Sequence, residues 1–217
     1  MDPKKNAVEP IMKRESSHTM IAIKDRIIAG ARKRFFTHGL RGVTMDDLAE
    51  ELGVSKKTLY AHFPSKVALL EAALIAKFQE IETELESVTS ATSSDFRVSL
   101  QKLLSCFQRH TEEIQPPFMR DVQREASGMF ELVEVRRRAI VQRYLGRFLS
   151  DGQAAGVVRD DIGVGMMIEI ILAAVEAIMN PPKLNELGLT LKSGFSAIIT
   201  VFLEGVIIQK GSQEHEG

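Results

Sequence analysis

Residues 45–63 read MDDLAEELGVSKKTLYAHF, two short helical stretches joined by a glycine. Thr44 precedes the first with Asp47 three residues on, a T-x-x-D form of the capping box. Leu48, Leu52 and Leu59 are spaced to face a preceding helix as a miniature core, and Ala49 is small where two helices cross closely. Gly53 suits the left-handed turn between helices, and Ser55 caps the second. That second helix, predicted over 56–62, presents Lys56, Lys57, Thr58 and Tyr60. Lys and Thr bond base edges or phosphates, and Tyr reaches the nucleic-acid backbone. Two capped helices are also a plain packing unit. The nearby Tyr60, His62 and Lys66 and a local basic excess favour DNA. Lys66 falls in the first turn of the next helix, where a cation opposes the helix dipole unless a phosphate is its partner; Thr44 likewise leads a helix N-terminus.

That basic excess is hidden in the total. The 217-residue chain has a formal net charge of −1. Residues 1–70 hold 13 Lys and Arg against 8 Asp and Glu, or +5; the remainder holds 15 against 21, or −6. A basic head is therefore joined to an acidic body, which points to nucleic-acid contact through one end. The composition excludes collagen-like and wholly disordered chains.

The rest of the chain has helical periodicity and no alternating strand pattern. Residues 1–18 are expected to form a flexible tail, with Lys4, Lys5, Lys13 and Arg14 as a conceivable extra DNA arm. A helix over 19–37 carries Ile23, Ile27, Ala31 and Phe35 on one face and ends at Gly39. A long helix is predicted over 65–88, then others near 95–114, 118–126, 130–155, 163–179 and 191–209. The reading is an all-α chain of nine helices: a tail to 18, a helix-turn-helix domain over 19–66, and a ligand-binding and dimerisation domain over 67–217.

Within that frame, residues 22–72 resemble the N-terminal domain of the tetracycline-repressor (TetR) family of bacterial transcription regulators. The resemblance rests on Ala31, Phe35, Gly39, Thr44, Leu48-Ala49, Gly53-Val54-Ser55, Thr58-Leu59-Tyr60, His62-Phe63, Ser65-Lys66 and Leu69-Leu70. It implies a homodimer whose N-terminal domains grip a palindromic operator, and a helical body that binds a small inducer. By position it implies DNA contacts from Thr44, Lys56, Thr58, Tyr60, His62 and Lys66. Lys57 departs from the pattern, which often has Gly, Ala or Pro there, so operator preference does not transfer.

In the body, the predicted helices over 163–179 and 191–209 are apolar nearly all round, which requires burial on several faces. A two-fold interface built from both meets that need, through Glu169, Ala173, Glu176, Phe195, Ile199, Phe202 and Val206. Candidate pocket residues are Phe107, His110, Phe118, Met119, Phe130, Tyr144, Phe148, Met166 and Met167. Arg137 joins them, because a helical wheel places it inside the stripe of Phe130, Val133, Val141, Tyr144 and Phe148. Its partner is either an internal carboxylate (Asp121, Glu125 or Glu169) or an anionic ligand.

Enzyme motifs are missing, and no cofactor or metal is expected. The single cysteine, Cys106, reads as a small buried hydrophobe, and His110 with Glu113 makes too weak a pair for a metal site. No secretory signal or membrane span is visible, which suggests a cytoplasmic protein. The expected function is a ligand-responsive transcriptional regulator, a repressor released from its operator by an inducer. A regulator without an inducer and an all-α enzyme with an accessory DNA-binding head are the alternatives.

Overall fold

The computed structural model describes residues 8–90 and 95–208, apart from the side chains of residues 8–19 and of Pro116. Helices α1 (Val8–His38), α2 (Met45–Glu51), α3 (Lys56–His62), α4 (Lys66–Ser90), α5 (Phe96–Glu112) and α6 (Pro116–Glu125) come first. Helix α7 (Ser127–Val141) continues through a π-helical segment, Gln142–Gly146, into α8 (Arg147–Ala154), so the three form one rod. Helices α9 (Val164–Ile178), α10 (Pro181–Glu186) and α11 (Leu191–Val206) complete the order. Among the described residues the only β pairing is an isolated bridge between Val158 and Ile207. The chain is all-α, as its periodicity predicts.

The count exceeds nine because of α10. Asn180-Pro181-Pro182 reads as a breaker, but Asn180 is an N-cap whose side chain accepts a hydrogen bond from the Lys183 N–H at 3.0 Å. The two prolines then occupy the first helical positions, where a missing N–H costs nothing. Helix α11 stops at Val206 instead of 209, since Arg159 and Ile208 turn their amides to the carbonyls of Val206 and Val157. At the other end, α1 begins at Val8, so the backbone of residues 8–18 is helical where a loose tail is expected. The basic tail side chains Lys4, Lys5, Lys13 and Arg14 lie outside the described residues.

The chain divides into two compact units: Met1–Lys77 with Pro117–Ala126, and Phe78–Pro116 with Ser127–Gly217. The first unit is built on Ile27, Ala31, Phe35, Leu48, Leu59, Leu69 and Leu70, all fully buried. Helix α6 belongs to this unit: Phe118 is 1% exposed and its ring meets Phe36 with centroids 4.9 Å apart. The core of the second unit gathers Leu100, Leu103, Leu104 and Cys106 of α5 with Leu145, Leu149, Ile168, Leu172, Phe195, Ile199 and Leu203. Cys106 is fully buried there, as its apolar neighbours imply.

Candidate nucleic-acid interface

Local chemistry sets the two short helices. The Thr44 hydroxyl accepts from the Asp47 N–H, and the Asp47 carboxylate accepts from the Thr44 N–H, each at 3.1 Å. Those hydrogen bonds from Thr44 hold the Asp47 carboxyl below the usual carboxylate range. Gly53 then takes φ +61°, the left-handed conformation that turns the chain into α3. Ser55 Oγ accepts from the Thr58 N–H at 3.0 Å and lies 2.8 Å from the Thr58 hydroxyl. Leu59 points into the core, leaving Lys56, Lys57 and Tyr60 exposed on the outer face of α3.

These residues do not play equal parts. Lys56 donates to Asp46 at 2.7 Å, a fully exposed pair whose hydrogen bond holds the ammonium above its ordinary pKa. Lys57 and Tyr60 are exposed, Tyr60 by 47%. Thr58 and His62 are half-buried, the His62 ring beside Phe63. Thr44 and Ser55 are exposed but act as caps. Lys66 departs most from expectation. Its ammonium donates to the carbonyls of Leu40 (2.9 Å) and Val43 (3.2 Å), so it ties down the turn before α2. Those two carbonyls supply the negative partner that its position in α4 demands.

Sequence reasoning missed how α6 braces this turn. Gly39 has φ +80°, and a Cβ there would lie 2.4 Å from Asp121 Oδ2 and 3.3 Å from the Pro117 carbonyl carbon. Glycine is therefore required twice, by its backbone angle and by the approach of α6. Beside it, the Arg41 N–H donates to Asp121 Oδ2 at 2.9 Å, and the Arg41 guanidinium pairs with Glu125. Asp121 and Glu125 are thus committed to Arg41. Only the Gly39 signal was visible in sequence.

In the second unit, Arg137 bonds Glu134, three residues back on its own helix, at 2.6 Å. Glu169 goes instead to the adjacent Arg138. None of the three carboxylates proposed for Arg137 takes it. The candidate pocket residues also scatter. Phe118 is core of the first unit, and Met166 is 60% exposed. Phe148 packs on Phe96 with centroids 4.7 Å apart. Tyr144 is buried, and its hydroxyl donates to Glu86 at 3.1 Å; that burial, with Glu86, pushes its pKa up. His110 is buried against Glu84, while Phe107, Met119 and Phe130 are half-buried.

An apolar groove of about 430 Å³ runs between α9 and α11, bordered by Met167, Ile170, Ala174, Ala197, Val201 and Phe202, among others. Met167 alone of the candidate pocket residues borders it. Of the expected interface residues, Phe195 and Ile199 are buried in the core of their own chain. Phe202 and Val206 are also buried but line the groove, and Glu169, Ala173 and Glu176 are exposed. The outward apolar face is Met166, Ile170 and Val201, the last 75% exposed. No helix of the described residues is long and apolar enough to cross a membrane.

The comparisons with known proteins agree with this arrangement. The family of bacterial regulatory proteins called tetR matches residues 27–73. Over 162 residues the chain is 26% identical to the HTH-type transcriptional repressor KstR2 of Mycolicibacterium smegmatis, a match spanning 68% of this chain and 73% of that protein. The HTH-type transcriptional regulator UidR of Escherichia coli is 25% identical over 163 residues, spanning 69% and 76%. Among solved structures, a TetR-family regulator from Agrobacterium tumefaciens superposes with a TM-score of 0.67 at 20% identity, covering 87% of this chain and all of that one. Domain match, relatives and fold agree: residues 27–73 match the DNA-binding domain of the tetR family, and most of the chain is similar to transcriptional regulators of that family.

Proposed function

We propose that the protein is a homodimeric repressor whose two α3 helices read a two-fold symmetric operator, and that a small molecule bound in the helical body releases it. The observation carrying the DNA half is the outer face of α3. The caps at Thr44 and Ser55 and the Lys66 clamp hold that helix in place, while Lys57 and Tyr60 stand clear of the core. Tyr60 and Lys57 would meet phosphates and base edges, with Lys56 joining once it exchanges Asp46 for DNA. The relative KstR2 is itself a transcriptional repressor.

Pairing would use the outward apolar face of α9 and α11. Ile170 and Val201 are exposed beside the small residues Ala174, Ala197 and Gly205, which allow close helix approach. An isologous contact covers each face with its own copy. Ligand control would act as a shift between two states of different operator affinity. The scatter of the candidate pocket residues favours a second reading, a regulator with no inducer.

Selection from a randomised DNA pool at fixed salt tests the reading. The expected product is a palindrome with half-sites about one helical turn, or 34–36 Å, apart. An asymmetric product, or none, overturns the operator model. If the palindrome appears but a metabolite screen never weakens binding to it, the inducer-free reading holds.

A further inference from the structure

We propose that the helical body holds a divalent transition-metal site of zinc class, with Cys106, His110 and Glu84 as protein ligands. Cys106 and His110 are four residues apart on α5 and so share a face; Glu80 and Glu84 have the same spacing on α4. The structure turns these faces toward each other, and the ligand atoms of Glu84, Cys106 and His110 all lie within 4.8 Å of one another. Tetrahedral zinc with bonds of about 2.0–2.3 Å sets its ligands roughly 3.3–3.7 Å apart, so small side-chain rotations suffice.

The donor set selects the ion. One sulfur, one imidazole nitrogen and one carboxylate oxygen suit zinc, whereas magnesium and calcium call for oxygen alone. As thiolate and carboxylate, Cys106 and Glu84 neutralise a dication, with the neutral imidazole as third ligand, so the buried site carries no net charge. Three protein ligands leave a fourth position for water.

The surroundings supply what such a site needs outside its ligands. His110 Nε2 is 2.8 Å from Glu84 Oε2, the direction in which a metal would lie. On the opposite edge of the ring, Nδ1 faces Glu80 Oε1 at 3.9 Å. Ligating histidines usually turn their second nitrogen to such a carboxylate. The other oxygen of Glu84 pairs with the Arg109 guanidinium, which fixes the carboxylate plane. His110 and Cys106 are buried, while Glu80 and Glu113 are exposed and form a second cluster with His110, an entry path for a cation. On binding, the Cys106 thiol proton leaves to solvent. The imidazole proton moves to Nδ1, toward Glu80, and nothing is oxidised or reduced.

Cys106 is the only cysteine, so a thiolate-to-cobalt charge-transfer band reports on this residue alone. Titration of the metal-stripped full chain with Co²⁺ is expected to give that band in the near ultraviolet, saturating at one ion per chain and bleached by Zn²⁺. Cys106→Ser, close in size, should lose the band and weaken Zn²⁺ binding at least about tenfold while melting like the parent. His110→Gln should weaken binding about a hundredfold, and Glu80→Gln, outside the ligand set, about tenfold. Absence of the band, or Zn²⁺ binding unchanged in both Cys106→Ser and His110→Gln, overturns the proposal.

Discussion

Helix α3 and helix α11 each leave a face uncovered, for opposite reasons. The outer face of α3 is polar, with Lys56, Lys57 and Tyr60 in water at little cost while no DNA is bound. The outer face of α11, continued on α9, is apolar; Val201 and Ile170 remain exposed although burial would stabilise each by about 1.5–3 kcal/mol. A polar face can wait for its partner, whereas an apolar one is stable only when covered. The first is suited to reversible encounter and the second to permanent pairing.

The largest effect should come from charging the apolar face. Ile170→Asp combined with Val201→Asp removes two side chains from each copy, and the dimer dissociation constant should rise about a thousandfold or more. Sedimentation equilibrium measures it, and a double variant that pairs like the parent would place the interface elsewhere. A sharper contrast lies within the head, between two lysines. Lys66→Met leaves the Leu40 and Val43 carbonyls without their donor and should cost about 1–3 kcal/mol in thermal unfolding. Lys57→Ala should leave stability within about 0.5 kcal/mol, yet weaken operator binding about tenfold and flatten its salt dependence. If the two results were exchanged, Lys66 would be the phosphate ligand. The smallest effect belongs to Asp46→Ala. Its pair with Lys56 is exposed and contributes little, so melting should hardly move, and operator binding should tighten a few-fold as Lys56 is released.

The same two regions mark what the sequence made legible. In α2 and α3 every decisive signal is local: the Thr44–Asp47 reciprocal cap, the Gly53 turn, the Ser55 cap and the inward leucines all act within a few residues. In α11 nothing local decides which way the helix faces. Phe195 and Ile199 are no less apolar than Val201, yet they lie in the chain's own core while Val201 is exposed. For Arg137, the partner Glu134 lies one turn away on its own helix, whereas the carboxylates expected for it lie on other helices. The destination of α6 was unreadable because Phe118 finds Phe36 across 81 intervening residues. Likewise, the four-residue spacings of Cys106 with His110 and of Glu80 with Glu84 say nothing of the two pairs facing one another.

That placement of α6 bears on how regulators of this kind can be recombined. A chimera that grafts residues up to Lys77 onto a foreign body would take the reading helix but leave residues 117–126 behind. Phe36 would then face solvent, the left-handed turn at Gly39 would lose the main-chain anchor at Asp121, and Arg41 would lose Glu125. The transferable module has two segments, and a donor body must supply, or be given, a compatible α6.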